Sequence, residues 1–241
     1  PVTDVRLDGE RILHQLEAPL DLPEGSPVAG VVDPARRREF RQQHTGQHII
    51  SACLDTAAGR RTVSAALGER YTTVEVDCPA LEDRQLLAAE QQANEAVGRN
   101  LPVRVSWVSR EEASRLPLRK PPPPQIQSLR IVQIEGLDVC ACGGLHVTST
   151  GEVGLIKLAG SERIRGRLRL SWLIGDRAYR DTREKDSLIA ALGRELSCGP
   201  AELPAAVQEL KGRLKSGEAG LSSLRRRLVS APAPSPPSEA A

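Results

Sequence analysis

Three of the four histidines in the chain lie in two short stretches, RQQHTGQHII at 41–50 and CACGGLHVTSTGE at 140–152. Each stretch holds two potential metal ligands four positions apart. In a helix, residues at i and i+4 share one face, so the two imidazoles of the first stretch can reach the same ion. Proteins bind Zn²⁺ through imidazole and thiolate, and structural sites use four ligands. The two stretches together predict one metal site whose ligands are His44, His48, Cys142 and His146.

The second stretch reaches the ion through a turn and not through a helix, because Gly143 and Gly144 separate its two ligands. Glycine permits the tight backbone turn that brings both side chains to one side. The same glycines leave bare backbone N–H groups beside the metal, where a substrate carbonyl or phosphate could approach. Cys140 would share the strand face of Cys142 and could replace a ligand, although a small buried residue is the role we expect for it.

The residues alone leave other interpretations of these stretches open. Two histidines on an apolar helix face can serve packing, and four protein ligands would equally suit a structural zinc. The histidines enclose Thr45, Gly46 and Gln47 without a glutamate, so the metalloprotease arrangement is absent. A phosphate-binding loop of the Walker type is absent from the sequence as well.

Composition limits the classes of protein to consider. A chain of 241 residues and 26.0 kDa is long enough for one large domain with appendages. Its five aromatic residues are too few to dominate the core, which must be aliphatic. No apolar run approaches the roughly 18 residues of a membrane helix, and no signal peptide is visible. Five cysteines without a secretory signal favour a reduced, cytoplasmic protein.

The order of elements predicts an α+β fold around the metal ligands. Residues 1–35 read as short strands, too few for an independent barrel or sandwich, and we interpret them as the end of a β-domain whose front is missing. The absence of methionine fits such an excised or processed chain. Residues 36–180 predict a domain of helices and a mixed or antiparallel sheet, with a hairpin turn at Gly68–Glu69 and a helix that ends at Gly98.

A helical segment over 181–229 and a disordered tail over 230–241 complete the predicted organisation. Apolar residues between 203 and 228 recur at alternating steps of three and four, with Gly217 in the one gap. This heptad-like seam predicts either a helix packed on its own domain or a coil that forms a homodimer. Its members are Val207, Leu210, Leu214, Leu221, Leu224 and Leu228.

The paired motifs closely resemble a known family. HTGQH, followed far downstream by CGGLHV and STGEVG, is similar to the editing domain of alanyl-tRNA synthetases and to their free-standing relatives, the AlaX proteins. The intervening VEVDCPALEDRQLLAAEQQANEAVGRNLPVRVSWVSREEA and the later GSERIRGRLRLSWLIGDRA also resemble the family. The resemblance covers about residues 5–225 and is nearest to the longer AlaX class. It includes the end of the family's N-terminal β-barrel.

The resemblance implies hydrolysis of the ester that joins serine, or glycine, to the tRNA for alanine. It implies one zinc ion per chain, held by the four residues named above, which would be the catalytic site. Thr45 and Gln47 would lie beside the aminoacyl group, and Gly143 and Gly144 would line its pocket. One departure is visible, because Leu145 stands where the family has threonine. The implied partner is mischarged tRNA, with no membrane involved.

A basic stretch, RIRGRLRL, offers a surface for that tRNA. Its arginines recur at every second residue, so a continuous strand would show four of them on one face. Such a ladder could contact RNA or could be the solvated outer face of a sheet. The RNA-contact candidates are Arg163, Arg165, Arg167 and Arg169.

Three functions remain open at this point. The first is editing in trans of mischarged tRNA for alanine. The second is the related editing of Ser-tRNA(Thr) by the threonyl-tRNA synthetase type, which shares the spacing of ligands but not the Gly-Gly after Cys142. The third is a zinc-stabilised module that binds RNA or dimerises without catalysis.

Overall fold

The computed structural model describes residues 1–9, 11–122 and 125–230, which form two compact units, Pro1–Arg37 and Arg38–Ala241. The first unit holds an antiparallel hairpin of β1 (Val2–Asp8) and β2 (Arg11–Leu16), in which Val5 lies opposite His14. Residues of both strands are largely exposed. The hairpin does not test the proposed origin of residues 1–35 in a β-barrel, which stays a prediction.

Beyond the hairpin, the described residues form two further antiparallel sheets and five α-helices, a mixed α+β architecture, as the sequence predicts. The first sheet has the order β3-β4-β9-β8, built from Thr62–Leu67, Thr72–Val76, Arg167–Ile174 and Ile156–Ile164. The second has the order β5-β6-β7, built from Val103–Ser109, Ser128–Ile134 and Asp138–Ala141. The predicted turn at Gly68–Glu69 is confirmed between β3 and β4, since both residues lie in the gap between these strands.

The helices follow the periodicity of the sequence. The ligand-bearing helix α1 runs from Pro34 to Ala58, α2 from Asp83 to Gly98, and the short α3 from Arg110 to Ser114. The predicted end of the second helix at Gly98 is therefore confirmed. A 3₁₀ turn covers Thr150–Val153, and α4 (Asp176–Leu196) and α5 (Leu203–Ser230) close the described chain. The tail predicted to be disordered over 230–241 lies, beyond Ser230, outside the described residues.

The core is aliphatic, as the shortage of aromatic residues requires. Helix α1 contributes Ile49, Ile50 and Leu54 to the main cluster, all fully buried. Val132 and Ile134 of β6 meet them from the second sheet. The opposite face of that sheet packs a separate small cluster, whose buried members are Ala113, Leu129 and Ile131. One face of the β5-β6-β7 sheet is thus directed at α1, and this face also carries the residues of the candidate site.

Helix α5 differs from α1, α2 and α4, since none of its described residues is buried. The residues of the heptad-like seam are 38% to 75% exposed, from Val207 to Leu228. Packing of the seam on the chain's own domain, one of the two sequence interpretations, is therefore wrong for the described residues. No helix in the described ranges is long and apolar enough to cross a membrane.

Candidate metal centre

The four predicted ligands lie together. Helix α1 presents His44 and His48 one turn apart, and the loop after β7 presents Cys142 and His146. Their donor atoms all lie within 4.8 Å of one another. Cys142 Sγ is 3.3 Å from His44 Nε2 and 3.4 Å from His146 Nε2. This cluster of three imidazoles and one thiol could hold a metal ion.

Gly46 allows α1 to lie close to the first sheet. A Cβ at this position would meet the side chain of Ile174 in β9 at 2.7 Å, which is too close for any larger residue. Glycine inside a helix costs roughly 1 kcal/mol relative to alanine. The close packing of α1 on β9 therefore explains why glycine, and not alanine, stands between the two histidines.

A second glycine shapes the loop that carries Cys142. A Cβ at Gly144 would overlap the His44 ring, so only glycine lets the loop pass this close to the helix. The loop is held from the sheet by Arg130, whose Nη1 donates to the carbonyl oxygens of Cys142 at 2.7 Å and Gly144 at 2.9 Å. The Gly144 N–H in turn points at Cys142 Sγ, at 3.5 Å. Backbone and guanidinium together fix where the thiol lies.

His48 is oriented by a buried ion pair behind it. Its Nδ1 lies 2.9 Å from Asp138 Oδ2, and Arg119 donates to the same carboxylate at 2.7 Å and 3.2 Å. The side chains of His48 and Asp138 are almost fully buried. A carboxylate that accepts from Nδ1–H leaves Nε2 with a free lone pair on the side of the other three cluster residues, which is a common arrangement behind metal-bound histidines. Asp138 and Arg119 therefore act through His48.

His146 is oriented by Thr45. The Thr45 hydroxyl lies 3.1 Å from His146 Nδ1 and accepts a hydrogen bond from the Val147 N–H, also at 3.1 Å. The tautomer that leaves His146 Nε2 free carries its proton on Nδ1 and donates it to Thr45 Oγ1. Arg41 adds a further hydrogen bond, from Nε to the carbonyl oxygen of His146 at 2.7 Å.

Electrostatics favours the ionised thiol. Burial opposes ionisation, but hydrogen bonds from His146 and His44 outweigh it and lower the pKa of Cys142 to about 3. Burial likewise opposes the charge on Asp138, yet its hydrogen bonds with His48 and Arg119 hold the pKa of that carboxyl below its ordinary value. Burial would lower the pKa of His48, but the carboxylate and the thiolate raise it. Thiolate is the form in which cysteine binds metals.

The four predicted substrate contacts differ in their surroundings. Thr45 is fully buried and engaged with His146, as described above. Gln47 is half-buried and donates from Nε2 to Ser51 Oγ at 2.7 Å. Gly143 is exposed and a Cβ added there would meet open space, whereas one at Gly144 would overlap His44. The exposed side of the metal centre is therefore the side of Gly143, and of its neighbour Leu145, which is 42% exposed. Contact of these residues with substrate stays a prediction.

A cleft of about 270 Å³ adjoins the centre on the side of His146. It is lined by Arg38, Arg41, Gln42, Val147 and Glu152. Glu152 also accepts hydrogen bonds from the backbone and hydroxyl of Thr148, so it fixes the segment that follows the last ligand.

Three positioning residues escaped the sequence interpretation. Asp138 carried a signal, because it shares the strand face of Cys140 and Cys142 at two-residue steps. Arg130 carried one as well, being a cation on the face of β6 that otherwise buries Val132. Arg119 lies in irregular chain between α3 and β6, where nothing in the spacing indicates that it meets Asp138.

The predicted ladder of four arginines on one strand is wrong. Strand β8 ends at Ile164, a turn occupies Arg165 and Gly166 with φ of 49° and 81°, and β9 begins at Arg167. Arg169 lies opposite Glu162 and forms an ion pair with Glu75 at 2.7 Å. The prediction counted only the spacing of the arginines. It left out the Arg165–Gly166 dipeptide, which forms a turn and reverses the chain. Contact of these arginines with RNA stays a prediction.

Comparison with known proteins gives the site a context. The family described as threonyl and alanyl tRNA synthetase second additional domain matches residues 129–170, which include Cys142 and His146. An alanyl-tRNA editing protein Aarsd1 of Mus musculus is 33% identical over 210 residues, 86% of this chain and 50% of that protein. An alanine–tRNA ligase of Pyrococcus furiosus is 31% identical over 237 residues, 95% of this chain and 26% of the ligase. Alanyl-tRNA editing protein Aarsd1-A of Xenopus laevis is 30% identical over 232 residues, 95% of this chain and 56% of that protein. The chain thus spans about half of these editing proteins and a quarter of the ligase.

Proposed function

We infer the function of this chain from the family to which it belongs, that of the alanyl-tRNA editing proteins and the editing domains of alanine–tRNA ligases. The proposed activity is zinc-dependent hydrolysis of mischarged Ser-tRNA(Ala), and of Gly-tRNA(Ala) as a second substrate. One observation carries the proposal: three imidazoles and a thiol from distant parts of the sequence meet within 4.8 Å in a chain of this family.

The donor set fits zinc better than the harder divalent ions. Imidazole and thiolate suit Zn²⁺, whereas Mg²⁺ and Ca²⁺ prefer oxygen ligands. His44, His48, Cys142 and His146 would hold one ion per chain. A bound zinc would supply polarisation of the ester carbonyl or activation of a water molecule. An aminoacyl ester is already labile, so this help, together with positioning, would suffice.

The residues of the chain would orient the substrate around that ion. The open backbone at Gly143 gives the aminoacyl carbonyl a route to the centre, while Arg130 keeps the loop in place. Asp138 and Thr45 hold the Nδ1 protons of the two histidines and keep their Nε2 atoms directed inward. The Thr45 hydroxyl already has two partners, His146 Nδ1 and the Val147 N–H. The Oε1 of Gln47 and the backbone at Gly143 are therefore the alternative candidates for contact with the serine hydroxyl.

The second candidate is editing of Ser-tRNA(Thr), since the matching family includes threonyl as well as alanyl synthetase domains. The three relatives described above carry names that refer to alanine, which favours the first candidate. A zinc-stabilised RNA-binding or dimerising module without catalysis is the third.

The test is to incubate the protein with Ser-tRNA(Ala), Ala-tRNA(Ala) and Ser-tRNA(Thr) and to follow the loss of each ester. We expect rapid loss of Ser-tRNA(Ala) alone, and none with His44→Ala. Preferential loss of Ser-tRNA(Thr) would favour the threonyl type. Stability of all three esters would support the non-catalytic module.

The partner of this activity is tRNA, with the arginines of the β8–β9 hairpin as proposed contacts.

Self-association is a further proposal, since the exposed seam of α5 has the heptad spacing of a helix that pairs with a second copy. Lys211 and Glu218 occupy positions that flank the seam, where opposite charges can pair between helices. Sedimentation should show the mass of a dimer for the whole chain and the mass of a monomer once residues 200–241 are removed. An unchanged monomer mass would remove the homodimer. A cytoplasmic location stays a prediction.

A further inference from the structure

Trp107 is an exposed tryptophan beside the metal centre. The chain has two tryptophans, of which Trp172 is fully buried in the core and Trp107 is 68% exposed. Val105, two residues earlier on the same face of β5, is 46% exposed. Tryptophan loses more apolar surface on burial than almost any other residue, so an indole left in water is a candidate contact for a ligand.

The register of the second sheet puts this indole on the face that carries the metal ligands. Trp107 lies directly opposite Arg130 of β6. The next residue in the same row is Cys142, because Ile131 pairs with Ala141 and the Cys142 N–H donates to the Arg130 carbonyl at 2.9 Å. Residues opposite one another in a sheet share a face. Trp107, Arg130 and Cys142 therefore form one row, and with strands about 4.8 Å apart its ends are about 10 Å from each other.

Burial confirms that this is the inner face of the sheet. Val103 of β5 is four residues before Trp107, and Val132 of β6 is two residues after Arg130, so both lie on the same face as the row. Both belong to the main core under α1. Val108, which points the other way, packs in the small cluster on the opposite face. Along β5 this face becomes more exposed from Val103 through Val105 to Trp107. Gly143, in the loop that follows Cys142, is exposed as well.

The charge of the row fits a nucleic acid. Arg130 lies between the indole and the metal loop and is half-buried, with Nη1 committed to the loop carbonyls. Its positive charge lies next to the path from Trp107 to the centre. A flat aromatic face beside an arginine is the arrangement by which proteins hold unpaired bases and their phosphates.

We propose that Trp107 is the stacking platform for an unpaired base at the aminoacylated 3′ end of tRNA, and that it contributes to binding of that end beside the metal centre. The inference rests on the proposed function, because it takes the ester at the centre to be carried by an RNA. The occupant is a base and not a protein, since one indole with one half-exposed valine is far smaller than the apolar patch of a protein interface.

Kinetics of deacylation test the proposal in the intact protein. Trp107→Ala should raise KM for Ser-tRNA(Ala) about tenfold and leave kcat nearly unchanged, because a stacked base is lost but the metal centre is not touched. Trp107→Phe, which keeps an aromatic face, should recover most of the affinity. Tyr179→Ala is the matched control, since this exposed aromatic lies on α4. A KM in Trp107→Ala equal to wild type would overturn the inference while leaving the proposed function intact.

Fluorescence tests the same contact without turnover. In a Trp172→Phe background the emission comes from Trp107 alone, and uncharged tRNA is added with or without its three terminal nucleotides. Stronger quenching by the intact tRNA supports stacking, whereas equal quenching by both tRNAs places the RNA contact elsewhere and overturns it. If wild type hydrolyses no ester, the proposed function fails, and this titration still decides the inference. Where Trp172→Phe does not fold, the intact and trimmed tRNAs are compared by competition against deacylation, or by direct binding to Trp107→Ala and wild type.

Discussion

The metal centre and the β8–β9 hairpin both carry short, regular sequence signals, but all four predicted residues come together only at the centre. On the hairpin, Arg165, Arg167 and Arg169 line one pocket, and Arg163 is not among its lining residues. At the centre, two motifs almost a hundred residues apart meet, and buried partners orient two of the three histidines, with Asp138 behind His48 and Thr45 behind His146. In the hairpin, four arginines at two-residue steps are divided by the turn at Arg165 and Gly166. Two-residue spacing therefore predicts one strand face only where no turn interrupts the strand.

The two regions also differ in what holds their charges. The centre pairs its groups inside the protein, where the side chain of Asp138 is only 1% exposed. On the hairpin, the side chain of Arg169 is 35% exposed and that of its second partner, Glu162, is 57% exposed. Ion pairs of the second kind contribute little to stability. Substitutions at the centre should therefore have large effects on metal binding, and those on the hairpin should have small effects on RNA binding.

The largest effect is expected from loss of a ligand. Cys142→Ala or His48→Ala should reduce bound zinc from one ion per chain to near none and slow ester hydrolysis by more than about 100-fold. Elemental analysis of the purified variants measures the first effect directly. Cys78→Ala is the control, because this cysteine is also buried but belongs to the core. Full zinc content in Cys142→Ala would contradict the assignment.

Asp138→Asn should have the next largest effect. The asparagine can still accept from His48, but it no longer compensates Arg119, so zinc affinity should fall about 10- to 100-fold. Competition with a chelator measures that affinity. Glu39→Gln is the matched control, since it weakens a partly buried ion pair with Arg177 away from the ligands. Both variants should lose stability, but only the first should lose affinity for zinc. Equal zinc affinity in both would make Asp138 a purely structural residue.

Thr45→Val should have a moderate effect. The change is nearly isosteric but leaves the Val147 N–H and His146 Nδ1 without their partner, at a cost of about 1–3 kcal/mol. We expect a several-fold loss of zinc affinity, recovered in Thr45→Ser. Thr45 is expected from the family resemblance to lie beside the aminoacyl group. The ratio of kcat/KM for Ser-tRNA(Ala) to that for Ala-tRNA(Ala) tests whether its hydroxyl contacts the serine hydroxyl. A narrower ratio at saturating zinc supports that contact, and an unchanged ratio assigns Thr45 to His146 alone.

The smallest effect is expected on the hairpin. Arg167→Ala should raise KM for tRNA a few-fold and reduce the slope of log affinity against log salt by about one, as expected for one phosphate contact. Arg169→Ala should change this slope less, because Glu75 already neutralises that guanidinium. An equal decrease of the slope in both variants would indicate that Arg167 and Arg169 contact the RNA equally, as the sequence suggested.

The sequence predicts elements better than it predicts partners. The i, i+4 spacing in α1 and the glycines before His146 were enough to name all four members of the His/Cys cluster, because helix periodicity and turn chemistry are local. The alternation of β7 places Asp138 on the face of Cys140 and Cys142, but it does not indicate that Asp138 contacts His48. Nothing in the sequence indicates the contact of Arg119 with Asp138, because that contact depends on tertiary packing. For α5 the heptad spacing predicted the helix correctly, but periodicity alone cannot say that its leucines stay exposed.

X-ray absorption at the zinc edge of the zinc-loaded protein tests the central claim most directly, since it counts the ligands by element. The account predicts one ion per chain with a single sulfur at about 2.3 Å and nitrogen ligands at about 2.0 Å. The sulfur contribution should disappear in any zinc that remains bound to Cys142→Ala. A shell of oxygen and nitrogen without sulfur in the unaltered protein would contradict the proposed site.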